Sequence, residues 1–244
     1  MEYIALFSGN DSHWLAPMLA AVTVHEQPLQ IIPAPVGNQL GEALAGLFPL
    51  GFAGALIESA NFQRATAEKL SRLEVEAREA GMVDVAKVQF GELQGNYLLP
   101  KVVQQAMDQS GFAGARLLWL GPVFPGLRDA LRLATKVHIM AKGPVEGESV
   151  LEKLAPRQRG RVLLDKTQAE AIASEIDLIV YNGGQLPLPL LQPYHGLFAF
   201  KEPQQDAYMI VDQVISPAYF RQLYLSRLLG WVSGIDLPPE DFVE

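Results

Sequence analysis

The chain contains no cysteine, which excludes disulfides, thiolate catalysis and thiolate-bound metals and fits a reducing compartment. Only four histidines occur, His13, His25, His138 and His195, and none pairs with another at the helical spacing of a zinc motif. A metal site would have to be assembled from scattered residues, so none is expected. Charge is sparse, with 19% Asp, Glu, Lys and Arg and a formal net charge of −8. The one basic cluster, Arg157, Arg159 and Arg161, runs straight into Leu163 and Leu164, and nucleic acid is not an expected partner. Long hydrophobic runs are missing as well. The most apolar stretch, residues 40–57, is interrupted by Glu42, Pro49 and several glycines, so no membrane span is expected. The N-terminus carries Glu2 where a signal peptide needs a basic residue, and its apolar run stops at Ser8, which reads as a first strand. Together these absences predict a soluble, cytoplasmic protein.

What is present is a chain of 244 residues, 49% hydrophobic, with 21 glycines and 17 prolines, long enough for one large or two small packed domains. Residues 3–7 are β-prone and residues 15–22 have helical spacing; residues 29–33 read as a strand, 39–48 as a helix and 54–57 as a buried strand. That alternation predicts a largely parallel sheet covered by helices. An amphipathic helix is predicted over 61–80, ending at Gly81, followed by a hairpin of 83–90 and 93–98 turning at Gly91 and Glu92. Further on, apolar runs at 115–120, 137–140, 162–164 and 178–181 alternate with helical segments at 127–134, 150–154 and 168–174, the pattern of a doubly wound unit. Residues 207–231 have helical periodicity broken at Pro217. The expected organisation is an α/β domain over residues 1–99, a Rossmann-like domain over 100–200, and C-terminal helices over 201–244 packing back on the first.

Several short segments, in order, resemble motifs of the shikimate dehydrogenase family along nearly the whole chain. The loop from Gly9 to Pro17 is similar to G-x-P-x-x-H-S-x-S-P, keeping His13 and Pro17 but carrying Trp14 and Ala16 at the serines. Gly51 to Phe62 resembles G-F-x-G-x-N-V-T-x-P-x-K, and Gly91 to Leu99 resembles G-x-L-x-G-x-N-T-D. The loop from Leu117 to Gly126 is similar to a dinucleotide-binding turn, and Ala141-Lys142-Gly143 stands at the family's N-R-T position. Met209 to Gln213 resembles the M-L-x-x-Q helix.

The resemblance implies a substrate-type domain and an NADP- or NAD-binding domain facing each other across a cleft. It places the family's proton-transferring lysine at Phe62 and its partner aspartate at Leu99, an apolar pair that cannot move a proton. In the cofactor loop Gly121 and Gly126 are kept, Pro122 and Pro125 remove two N–H donors, and Phe124 is expected to fill the phosphate path. Lys142 stands where a 2′-phosphate would be met. The expected function is therefore a catalytically degenerate relative that binds a small ligand or a partner and needs no cofactor. The alternative is an NADP- or NAD-dependent oxidoreductase using His13, Asp84 or Lys87 instead. Ligand contacts are expected from Asn10, His13, Asn61 and Gln213 on the first domain's wall, with Asp11 and Glu58 as further polar candidates. Asp84 takes a family asparagine's place and reads as a surface charge; a homodimer is compatible with the chain.

Overall fold

Residues 2–9 and 11–243 are described by the structure, a computed structural model. The chain divides into two compact units, the first comprising residues up to Val102 together with those from Arg221, the second Val103–Phe220. The chain passes from one to the other inside helix α5 (Leu99–Gln109) and returns inside helix α10 (Pro217–Ser233).

The first unit opens with β1 (Glu2–Ser8), α1 (Leu15–Val24), β2 (Leu29–Pro35), α2 (Leu40–Leu47) and β3 (Phe52–Ile57). β1 lies between β2 and β3, parallel to both, so that Ile4 to Phe7 are buried on both faces, as their unbroken apolar run requires. The predicted helix over 61–80 is two helices, α3 (Ala60–Lys69) and α4 (Val75–Ala80), separated by the short strand β4 (Arg72–Leu73). β4 pairs with β6 (Glu92–Asn96), and the Glu74 N–H donates to Gly95 O, interactions that a continuous helix would forfeit. The expected hairpin is present. β5 (Val85–Gln89) and β6 are antiparallel around Phe90 and Gly91, both at positive φ, which suits the right-handed twist of the strands. The sheet order is β2-β1-β3-β5-β6-β4.

The second unit holds β7 (Arg116–Leu120), α6 (Leu127–Ala130), β8 (Lys136–Met140), α7 (Pro144–Leu151), β9 (Arg159–Leu163), α8 (Lys166–Ala171), β10 (Leu178–Tyr181), β11 (Gly196–Ala199), α9 (Gln205–Ile210) and β12 (Gln213–Ile215). Its six parallel strands run β12-β11-β10-β7-β8-β9. This is the doubly wound order, with the chain reversing direction across the sheet between β7 and β10. Two expected boundaries move. The helix predicted over 127–134 stops at Ala130, and residues 201–220 join the second unit because β12 pairs with β11.

Among the described residues, no helix is long and apolar enough to cross a membrane.

Candidate functional site

In the first unit, the C-terminal ends of β1 and β3 and the start of β5 meet at one edge of the sheet, where the Ile57 N–H donates to Asp84 O at 2.9 Å. Asp84 is fully buried, contrary to its reading as a surface charge. Its carboxylate accepts the Leu98 N–H at 2.9 and 2.8 Å, the Leu99 N–H at 3.0 Å and the Tyr224 hydroxyl at 2.7 Å. Burial pushes the carboxyl up to about 6, against the opposing pull of these donors. Burial, reinforced by the neighbouring Asp84 charge, also raises Tyr224 and Tyr97, so both phenols stay neutral. Trp14, also buried, meets Tyr224 edge to face with ring centroids 5.6 Å apart.

Phe62 and Leu99, at the positions that the resemblance assigns to lysine and aspartate, both pack against the hydrophobic cluster containing Phe7, Ile57, Val83 and Tyr97. Glu58, just beyond β3, accepts the His13 N–H at 2.8 Å through Oε1, while its Oε2 is buried without a hydrogen-bond partner among the described residues. His13, Asp11 and Asn61 are exposed, and Lys87 is half-buried on β5. Asn10 lies outside the described residues.

Gln213 is not where the motif predicts it. It starts strand β12 rather than a helix, belongs to the second unit, and is exposed. It pairs with Gly196, the first residue of β11, and so stands at the N-terminal end of a sheet whose pocket lies at the other end. The residue that α10 offers to the first unit's edge is Tyr224.

That pocket, of about 380 Å³, lies in the second unit at the C-terminal ends of β7, β8 and β10, the topological switch point of the sheet. Val123, Ile139, Met140 and Val150 form its apolar wall. Lys142, Glu146, Asn182 and Lys201 supply its polar groups, and among the described residues no side-chain hydrogen bond or ion pair holds Lys142, Glu146 or Lys201. Gly121 borders it at φ 95; a side chain there would come within 2.6 Å of Gly183 O.

The loop after β7 is braced from inside. The buried Trp119 indole N–H donates to Gly121 O at 3.1 Å and Pro122 O at 3.2 Å, and the Asn182 amide donates to Pro122 O at 2.7 Å. Phe124, expected in the phosphate path, turns towards the aromatic residues of the sheet. Its ring packs on Trp119 and Phe200, with centroids 5.6 and 5.9 Å away, and it does not line the pocket. The aromatic pair draws it inward. Gly126 also lies outside the lining and instead precedes α6 at φ 80, whereas Gly121 and Lys142 do line it.

Sequence reasoning missed Tyr224, Glu146 and Lys201. An acid inside Met82-Val83-Asp84-Val85-Ala86 does carry a signal of burial, and Lys201 is the first charge after the apolar run of β11. Tyr224 carries none, because its partner lies in another segment. Among the described residues no group of His, Asp and Glu could hold a metal ion.

Solved structures match this architecture throughout. Shikimate 5-dehydrogenase from Listeria monocytogenes, in complex with shikimate and NAD, superimposes with a TM-score of 0.83 at 14% identity, covering 99% of this chain and 95% of that one. The fold is that of the shikimate dehydrogenases. Quinate dehydrogenase from Corynebacterium glutamicum, in complex with NAD, matches with a TM-score of 0.81 at 12% identity, covering 99% of this chain and 96% of that one. The 5-ketofructose reductase of Gluconobacter sp. strain CHM43 matches with a TM-score of 0.82 at 14% identity over the same shares. No protein-family model and no curated protein matches the sequence. The shikimate dehydrogenase fold supplies the two-sheet framework.

Proposed function

We propose that this chain is a catalytically degenerate relative within the shikimate dehydrogenase fold, binding a small ligand without transferring hydride. The observation that carries the reading is that Phe62 and Leu99, partly buried, pack against the first unit's core at the two positions where the resemblance puts a proton-transferring pair. A general acid or base contributes about a hundred- to ten-thousand-fold to a rate, and two apolar side chains contribute none of it.

The alternative, an NADP- or NAD-dependent oxidoreductase with substitute residues, meets two obstacles. Asp84 has the raised affinity for a proton that a general base needs, but it is fully buried and engaged by three donors. The cofactor loop fits a dinucleotide poorly. α6 is a single turn of four residues, too short to present a helix terminus to a pyrophosphate, and Pro122 and Pro125 offer no N–H. The open pocket of the second unit remains for a ligand.

Shikimate and quinate, each with NADP and NAD, should give no change in nicotinamide absorbance above the no-enzyme rate. Turnover near about one per second, within the ordinary range for enzymes, would overturn the reading.

A further inference from the structure

The hairpin that joins β5 to β6 carries an aromatic ring at a position that favours asparagine or glycine. Phe90 sits at φ 52 and is 90% exposed, ahead of Gly91 at φ 79. Two successive positive φ values make the turn for which Asn-Gly is the ordinary sequence, and a bulky residue is strained there. Its ring buries almost nothing within the chain. Two more apolar side chains stand at the same place. The antiparallel register, Gly54 opposite Lys87, carries the start of β3 to the hairpin's tip, so Leu50, 72% exposed, lies at that end of the sheet. Phe48, 56% exposed, lies over the turn, where a Cβ at Gly91 would be 3.7 Å from its Cζ. Strained and exposed apolar residues gathered together mark an interaction surface. Asp84 precedes β5 and Phe90 follows it, so this surface is at the opposite end of the sheet from the buried carboxylate.

Gly91 also borders a groove of about 440 Å³, with Leu44, Leu70 and Leu93 among its apolar lining. Lys69, from the end of α3, and Glu92, from the hairpin, bring charges of opposite sign to it. Among the described residues no side-chain hydrogen bond or ion pair holds Lys69, whereas Glu92 pairs with Arg72. We infer that two copies of this chain pair through this face about a two-fold axis, Phe90 of each entering the groove of the other. A knob and a hole side by side on one surface are self-complementary, and a two-fold copy fills both at once. The same rotation carries each Lys69 towards the partner's Glu92, so the rim charges are complementary as well. On each copy Phe48, Leu50 and Phe90 leave on the order of 400 Å² in water. With the groove walls and rim the pair reaches about 1,200 Å² in total, the lower end for specific interfaces. The dimer is therefore weak and reversible, with Kd in the micromolar range, and the net charge of −8 on each copy acts in the same direction. Pairing through this face needs neither a ligand nor turnover.

Sedimentation equilibrium of the whole chain from about 1 to 200 µM should fit a monomer–dimer equilibrium with no larger species. Phe90→Asn, which installs the favoured turn residue, should raise Kd at least about tenfold. Its melting temperature, read where both proteins are monomeric, should be no lower than that of wild type and serves as the folding control. Lys69→Glu and Glu92→Lys should each raise Kd about two- to fivefold. Combining them should bring Kd back to within about twofold of wild type, because the exchanged charges still meet across the axis. A chain that is monomeric throughout this range would overturn the inference and give the face to a partner of another kind. So would a dimer that Phe90→Asn leaves unchanged, a double exchange weaker than either single one, or growth beyond two copies, the sign of a contact that does not close.

Discussion

Asp84 is the residue on which the first unit's edge depends. It binds its proton more tightly folded than unfolded, near 6 against the ordinary 3.8, so its contribution to stability is full below about pH 4 and is lost as pH rises through 6. The span corresponds to about 3 kcal/mol. His138 and His195, held below the usual imidazole range chiefly by burial, act in the opposite direction, gaining stability as pH rises towards 6.5. The difference between wild type and Asp84→Asn isolates the carboxyl. Urea unfolding at several pH values between 4 and 7 should show wild type losing stability relative to the variant as pH rises, and parallel curves would refute it. Sequence could show an acid inside an apolar run but not its partners. Leu98 and Leu99 lie 14 and 15 residues away, and Tyr224 lies 140 away. Gln213 illustrates the converse, since matching it to a motif located a chemistry but not the element that carries it.

At the scale of elements, α6 is the piece that most departs from expectation. Its predicted continuation is used elsewhere: Leu133 O accepts the Gly114 N–H at 2.9 Å, and the buried Gln158 amide donates to Leu131 O at 2.9 Å, Arg132 O at 3.3 Å and Ala134 O at 2.7 Å. One side chain from the segment before β9 thus satisfies carbonyls that another helical turn would have served. Gln158→Ala should cost about 1–3 kcal/mol in urea unfolding, the penalty for leaving buried polar groups unpaired. A change within about 0.5 kcal/mol would place those carbonyls in water instead. Four strands of the second sheet, β7 to β10, were legible as short apolar runs between turn residues, whereas β11 was not read and β12 lies in a stretch whose periodicity reads as helix. The break between α3 and α4 was not, since Leu70 and Leu73 suit a helix face as well as a strand, and the choice is made by β6, some twenty residues later.

At the scale of the molecule, the first unit is assembled from two stretches of chain with the whole second unit between them. Tyr224, which closes Asp84's hydrogen bonds and faces Trp14, arrives only in the second stretch. The arrangement has a consequence for synthesis. A ribosome releases the chain from its N-terminus, and domains fold as units as they emerge. Here the unit made first must wait. Its sheet can pair early, but its edge stays open until α10 is translated, whereas β7 to β12 are all available beforehand. A chain truncated after Phe220 reproduces that intermediate. Limited proteolysis should digest its first hundred or so residues while sparing a fragment that begins near Val103. Equal resistance of both halves would mean that the first unit folds without its last helix. Otherwise the nascent first unit spends the whole translation of the second with an apolar edge exposed, the period in which a holding chaperone would bind it.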